Sequence, residues 1–151
     1  MVSSRLYLNK GELHFTDVTA LSGLSTNRWI NGVAVIDINQ DGWKDVYLCT
    51  ANRGDSNTAG NLLFLNKGLD SNGIPQFEEK AHEYGIDDKA YSVQSAFFDY
   101  DRDGDLDIYL LNNGIVKDQS NYAIRPKSIH GESLTTDHLY RNDGPLDHPH
   151  F

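Results

Sequence analysis

At 151 residues the chain has the length of one domain, and 22 acidic against 13 basic side chains leave it at net −9. That charge argues against a nucleic acid or an anionic membrane as partner, because both repel a negative surface. One cysteine, Cys49, rules out an internal disulfide and a paired-cysteine metal or redox motif, and no apolar run reaches the roughly 18 residues of a membrane span.

In chain order, Arg5-Leu-Tyr-Leu-Asn-Lys-Gly11 is the first strand-like run, closed by turn residues and predicting a strand over 4–9. A second strand follows Phe15. Apolar runs rich in β-branched and aromatic residues then predict strands at 33–37 and 45–50, followed by 61–66 and a strand after Phe77. The pattern starts again at 95–99 and 107–112, continues at 137–142, and reaches Phe151. Cys49 sits in one of these runs and reads as a buried, unreactive thiol. The strand content places Val35, Ile36, Val46, Leu48, Phe97, Phe98, Ile108 and Leu110 in the core, with almost no helix outside 113–136.

The repeat is explicit. Asp37 to Asp45 matches Asp99 to Asp107 at an offset of 62 (99 − 37), and Phe15 and Gly23 match Phe77 and Gly85 at the same offset. A Leu-Tyr/Phe-x-Asn-x-Gly element occurs three times, ending at Gly11, Gly68 and Gly144, with varying separation. Loops vary while strands keep register. Four antiparallel strands per repeat is the β-propeller blade, so the expected fold is an all-β partial propeller with blades of about 62 residues. Its expected frame is 1–28 as the end of one blade, 29–90 as a whole blade, and 91–151 as most of another with an insertion at 113–136. Trp29 and Tyr91, equivalent in the repeat, are expected to wedge between blades.

Each repeat carries a nine-residue acidic loop. Asp37, Asn39, Asp41 and Asp45, and likewise Asp99, Asp101, Asp103 and Asp107, put oxygen donors at positions 1, 3, 5 and 9. Glycine at position 6 takes a turn that other side chains resist. The carbonyls of Trp43 and Asp105 at position 7 are placed to complete a shell. Hard oxygens in this number select calcium over magnesium, giving two Ca²⁺ sites between strands one and two. An EF-hand is excluded, because position 12 is Leu48 or Leu110 inside a strand-like run.

These residues resemble the FG-GAP/VCBS propeller repeat of integrin α-subunit heads. The Leu-Tyr-x-Asn-x-Gly and Phe-x-Asp-Val-Thr segments are most similar to the ASPIC/UnbV and cartilage acidic protein type. The resemblance implies that the two Asp-rich sets are calcium ligands. The Phe-Gly and Gly-Ala-Pro signatures are replaced, so integrin-like ligand recognition does not carry over.

In a meander the calcium loops share one end of the blades with the turns at 67–76 and 143–150. The segments 51–60 and 113–136 lie at the opposite end, where a ligand is expected. Candidates there are Arg53, within an Arg-Gly-Asp tripeptide, and Tyr122, Arg125, Lys127 and His130 in the insertion; the alternative is an ordered cap over the blade. His148 and His150 read as solvated turn residues. The expected function is a non-enzymatic recognition module for a protein or glycan. It is placed outside the cytosol, at the cell surface, in the periplasm or in the medium, because extracellular calcium modules bind with Kd of about 10⁻⁴–10⁻³ M. The alternatives are the scaffold of a polysaccharide-acting hydrolase or lyase, and a structural spacer.

Overall fold

The computed structural model describes residues 4–51, 60–113 and 136–151. Within them the chain is almost entirely β, in three antiparallel sheets that succeed one another along the sequence. Strands β1 (Tyr7–Asn9) and β2 (Phe15–Asp17) form the first. Strands β3 (Ile30–Ile36), β4 (Asp45–Thr50), β5 (Leu62–Leu69) and β6 (Pro75–Glu79) form a four-stranded meander. Strands β7 (Ser92–Phe98), β8 (Asp107–Asn112) and β9 (His138–Tyr140) repeat its order. One helical turn, α1 (Thr19–Ser22), is the only helix among the described residues; its equivalent around 81–85 is a non-helical turn. Sequential meanders of this kind are consistent with a propeller-like arrangement.

The repeat extends to irregularities. The β3–β4 ladder shifts register between Ile30 and Gly32, and the β7–β8 ladder between Ser92 and Gln94, 62 residues on. A bulge admits one extra residue without ending the strand, so both first strands start earlier than 33 and 95. The ladder then continues outward: Ala51 N–H donates to the Trp29 carbonyl (2.9 Å) and Asn113 N–H to that of Tyr91 (2.8 Å). Trp29 and Tyr91 thus occupy equivalent positions in the two ladders. The wedge expectation fails for Trp29, which is 56% exposed, while Tyr91 is half-buried.

The larger core lies between the second and third sheets. Tyr47, Cys49, Leu63 and Leu65 meet Ile108 and Leu110, with Tyr84 and Ile86 closing one side. The Tyr47 ring stands edge-on to Phe97 at 5.6 Å. Its hydroxyl donates to the Ile86 carbonyl (2.9 Å) and accepts from Asn61 Nδ2 (3.0 Å), so the polar tip of a buried ring is satisfied. Cys49 is fully buried, and burial pushes its thiol up to about 11. A buried carboxylate also joins these sheets: Asp88 Oδ2 accepts from the Tyr140 hydroxyl (2.6 Å) and lies 2.5 Å from His138 Nδ1. A smaller core of Leu24, Leu48, Leu62 and Phe64 joins the first sheet to the second.

Two expected core residues lie elsewhere. Val35 is 61% exposed and Phe98 43%. Side chains alternate along a strand, so Ala34 and Ile36 turn with Tyr47 toward the third sheet, while Val35 turns with Val46 the other way. On that side the two strands of the first sheet reach Leu48 but leave Val35 bare. Phe97 faces the second sheet with Ile108, which turns Phe98 to the side on which no described sheet packs. An apolar run does not reveal which face a neighbour covers.

Candidate metal centres

Loop 37–45 joins β3 to β4, and loop 99–107 joins β7 to β8. Asp45 and Asp107 open the second strands, and both are fully buried. Asp45 Oδ2 accepts from Ile38 N–H (3.0 Å) and Oδ1 from Asn66 N–H (2.8 Å). Asp107 repeats this with Tyr100 N–H (2.9 Å) and Asn142 N–H (3.0 Å). Each carboxylate thus ties the loop to the third strand, at Asn66 within β5 and at Asn142 just past β9. Burial pushes Asp45 up, against the two N–H donors that hold it down; Asp41 and Asp37 add to the rise.

Position 6 behaves as expected, with Gly42 at φ 90° and Gly104 at φ 99°. Position 4 was not foreseen: Gln40 (φ 55°) and Arg102 (φ 68°) are also left-handed, a region non-glycine residues seldom adopt. The reversals bring backbone N–H groups onto the position-1 carboxylate. Gly42 N–H reaches Asp37 Oδ2 (3.0 Å); Arg102 N–H and Asp103 N–H reach Asp99 Oδ1 (2.6 and 3.2 Å), and Gly104 N–H reaches Asp99 Oδ2 (3.1 Å).

The loops differ in how their donors meet. In loop 99–107, carboxylate oxygens of Asp99, Asp101 and Asp107 lie within 4.8 Å of one another. Asp103 stands outside that close group, its Oδ1 accepting Asp105 N–H (3.2 Å). Desolvation and then the charges of Asp103 and Asp107 push the Asp101 carboxyl up, and burial with the same two neighbours pushes Asp105 up to about 6. In loop 37–45, Asn39 Nδ2 donates to Asp41 Oδ2 (3.0 Å) and Trp43 N–H to Asp41 Oδ1 (2.8 Å). Two oxygens, Asp37 Oδ1 and Asn39 Oδ1, are left buried without a partner. Orphaned oxygens in one loop and crowded carboxylates in the other fit a hard cation, and the all-oxygen donor set fits calcium.

At position 7, Trp43 is 42% exposed and its indole lies over Gly68, which places the β5–β6 turn at the same end as the loop. The two loops also touch: Gln40 Nε2 donates to the Gly104 carbonyl (2.8 Å). At the other end, the Arg28 guanidinium donates to the Gly60 carbonyl and Asn61 N–H to that of Asp88 (2.9 Å). The ligand candidates Arg53, Tyr122, Arg125, Lys127 and His130 lie outside the described residues. His148 and His150 are exposed, with the His148 ring 5.5 Å from Tyr84.

Sequence reasoning missed Asn66 and Asn142. Besides bonding Asp45 and Asp107 through their N–H groups, each turns its own side-chain oxygen onto a following glycine, Gly68 or Gly144 (both 3.0 Å). Asn9 does the same with Gly11 (2.8 Å). The signal was present in the threefold Asn-x-Gly, which reads as a turn but also ties down the Asp-rich loop.

Residues 2–48 match the family model of an FG-GAP-like repeat. The match runs from the first sheet through loop 37–45 into β4, supporting the FG-GAP/VCBS repeat family for that stretch; no curated protein matches the chain. The second Asp-rich loop lies beyond it and is tied to it by the 62-residue offset.

Proposed function

We propose that the chain is a calcium-binding β-propeller repeat module. It works without catalysis, outside the cytosol, as a rigid display for a protein or glycan partner. The observation that carries this reading is the convergence of Asp99, Asp101 and Asp107 within 4.8 Å, repeated as a sequence pattern at Asp37, Asn39, Asp41 and Asp45. Like charges about 4 Å apart repel by about 4 kcal/mol at an effective dielectric near 20, so a cation there relieves an existing strain. When bound, calcium neutralises each cluster and fixes the turn between the first two strands. The buried Asp45 and Asp107 transmit that order to the third strands through Asn66 and Asn142. The periodic carboxylates serve the cation, and no acid–base role is assigned to them.

The likeness to the ASPIC/UnbV type belongs to the same reading, as do export to the cell surface, periplasm or medium and a ligand at the end opposite the metal. Calorimetric titration with calcium, paired with thermal melting, tests the core of it. Two sites and a calcium-dependent rise in melting temperature are expected. No binding and no shift up to about ten times the Kd of extracellular modules, near 10⁻³ M, overturns the calcium assignment. Detection of the native protein only in the cytosol overturns the localisation.

A further inference from the structure

Position 7 is where the two loops diverge most in chemistry. Trp43 turns its indole out over Gly68, whereas Asp105, 62 residues on, is buried with 7% of its surface exposed. Asp105 Oδ1 has no hydrogen-bond partner. The carboxyl lies against that of Asp103, and the charges of Asp107 and Asp101 act on it as well. Arg141, whose charge reaches Asp101, is spent on Asp143 at 2.7 Å and is half exposed. Asp105 lies outside the close group of Asp99, Asp101 and Asp107, but a buried carboxyl against Asp103 with an unpartnered oxygen is left with an unmet demand for positive charge.

We infer that the side chain of Asp105 is a cation-binding group of loop 99–107, supplying a further carboxylate toward a divalent ion beside Asp103, and that loop 37–45 lacks this group because Trp43 replaces it. The inference rests on the calcium reading and deepens it. The backbone carbonyl at position 7 is common to both loops, whereas a carboxylate there belongs to one. Affinity in such loops follows ligand charge count, so the loops are unequal for a reason beyond Asn39 against Asp101.

The test is calorimetric titration with calcium alone on the full chain and on Asp105→Asn and Trp43→Asp. Asparagine keeps the shape and removes the charge. Without calcium, Asp105→Asn folds and melts no lower than the parent, since a buried charge has gone. With calcium, one of its two sites weakens by about tenfold or more while the other is unchanged, and Trp43→Asp strengthens loop 37–45. An Asp105→Asn protein whose two sites match the parent's, or bind more tightly, overturns the inference and leaves the calcium reading standing. A parent that binds no calcium at either loop overturns both. If Asp105→Asn fails to fold, Trp43→Asp decides: an unchanged or weaker first loop overturns the inference.

Discussion

The two Asp-rich loops share a backbone and differ in how they hold their negative charge. In loop 37–45 the amide of Asn39 donates to Asp41, so one carboxylate is already answered from within. In loop 99–107 the equivalent residue is Asp101, which donates nothing in its ionised form, and three carboxylates face each other within 4.8 Å. The Asn39 amide is thus one of two side-chain differences in the oxygen donors of the loops, the other being Trp43 against the buried Asp105 at position 7. Their anchors do not differ: Asp45 and Asp107 each hold two backbone N–H groups from matching positions.

The largest expected effect breaks the part that the loops share. Asp107→Ala, measured by urea unfolding in a chelator, removes a buried carboxylate holding two N–H donors and is expected to cost about 3 kcal/mol or more. Asp45→Ala is expected to cost about as much, and a loss confined to one of the two would dissolve the equivalence. Next comes calcium itself: saturation at about 100 times Kd stabilises a site by about 2.7 kcal/mol. Hydrogen exchange after chelation is expected to rise more at Gly104 and Asp105 than at Gly42 and Trp43; an equal rise would blunt the contrast. The exchange of one side chain then sharpens it. Asp101→Asn is expected to weaken its loop by about tenfold and Asn39→Asp to strengthen the other by a similar factor, as charge count sets affinity. Titration finding loop 37–45 the tighter site in the parent would reverse the ranking. The smallest effect concerns the contact between the loops. Gln40→Ala removes an exposed hydrogen bond to the Gly104 carbonyl and is expected to cost less than about 1 kcal/mol, visible as a slight change at loop 99–107 when calcium is titrated. A change larger than that of Asp101→Asn would mean that the loops act as one unit.

Much of this was legible in the residues because it is periodic. The Asp-x-Asp/Asn-x-Asp-Gly spacing marks the loops and the position-6 glycines, and the apolar runs mark the strands to within a few residues. What the sequence withheld depends on neighbours. Val35 and Phe98 have the composition of core residues, but their faces are decided by which sheet packs where. Trp29 and Tyr91 hold equivalent ladder positions, yet Trp29 is exposed and Tyr91 half-buried, a difference set by what packs beside each. The left-handed Gln40 and Arg102 carry no glycine to announce them. The sequence pattern offers only the carbonyl of Asp105, since burial of its side chain is invisible in a pattern of letters.

The turns that leave one sheet for the next end in Gly23 and Gly85, with φ of 77° and 75°. A Cβ built on Gly23 would stand 2.6 Å from the Phe77 carbonyl oxygen, and one on Gly85 2.8 Å from that of Phe151. The glycines are 62 residues apart (85 − 23), but the two phenylalanines are 74 apart (151 − 77), because the third-sheet connection from β8 to β9 is longer than its counterpart from β4 to β5. The contact survives that change in chain length. It works like an index pin: spacing from one repeat to the next is read from a glycine against a carbonyl, not counted along the chain. Insertions between the second and third strands can then lengthen or drift without altering the pitch of the stack, which leaves that segment open to diversify while the scaffold beneath it stays in step.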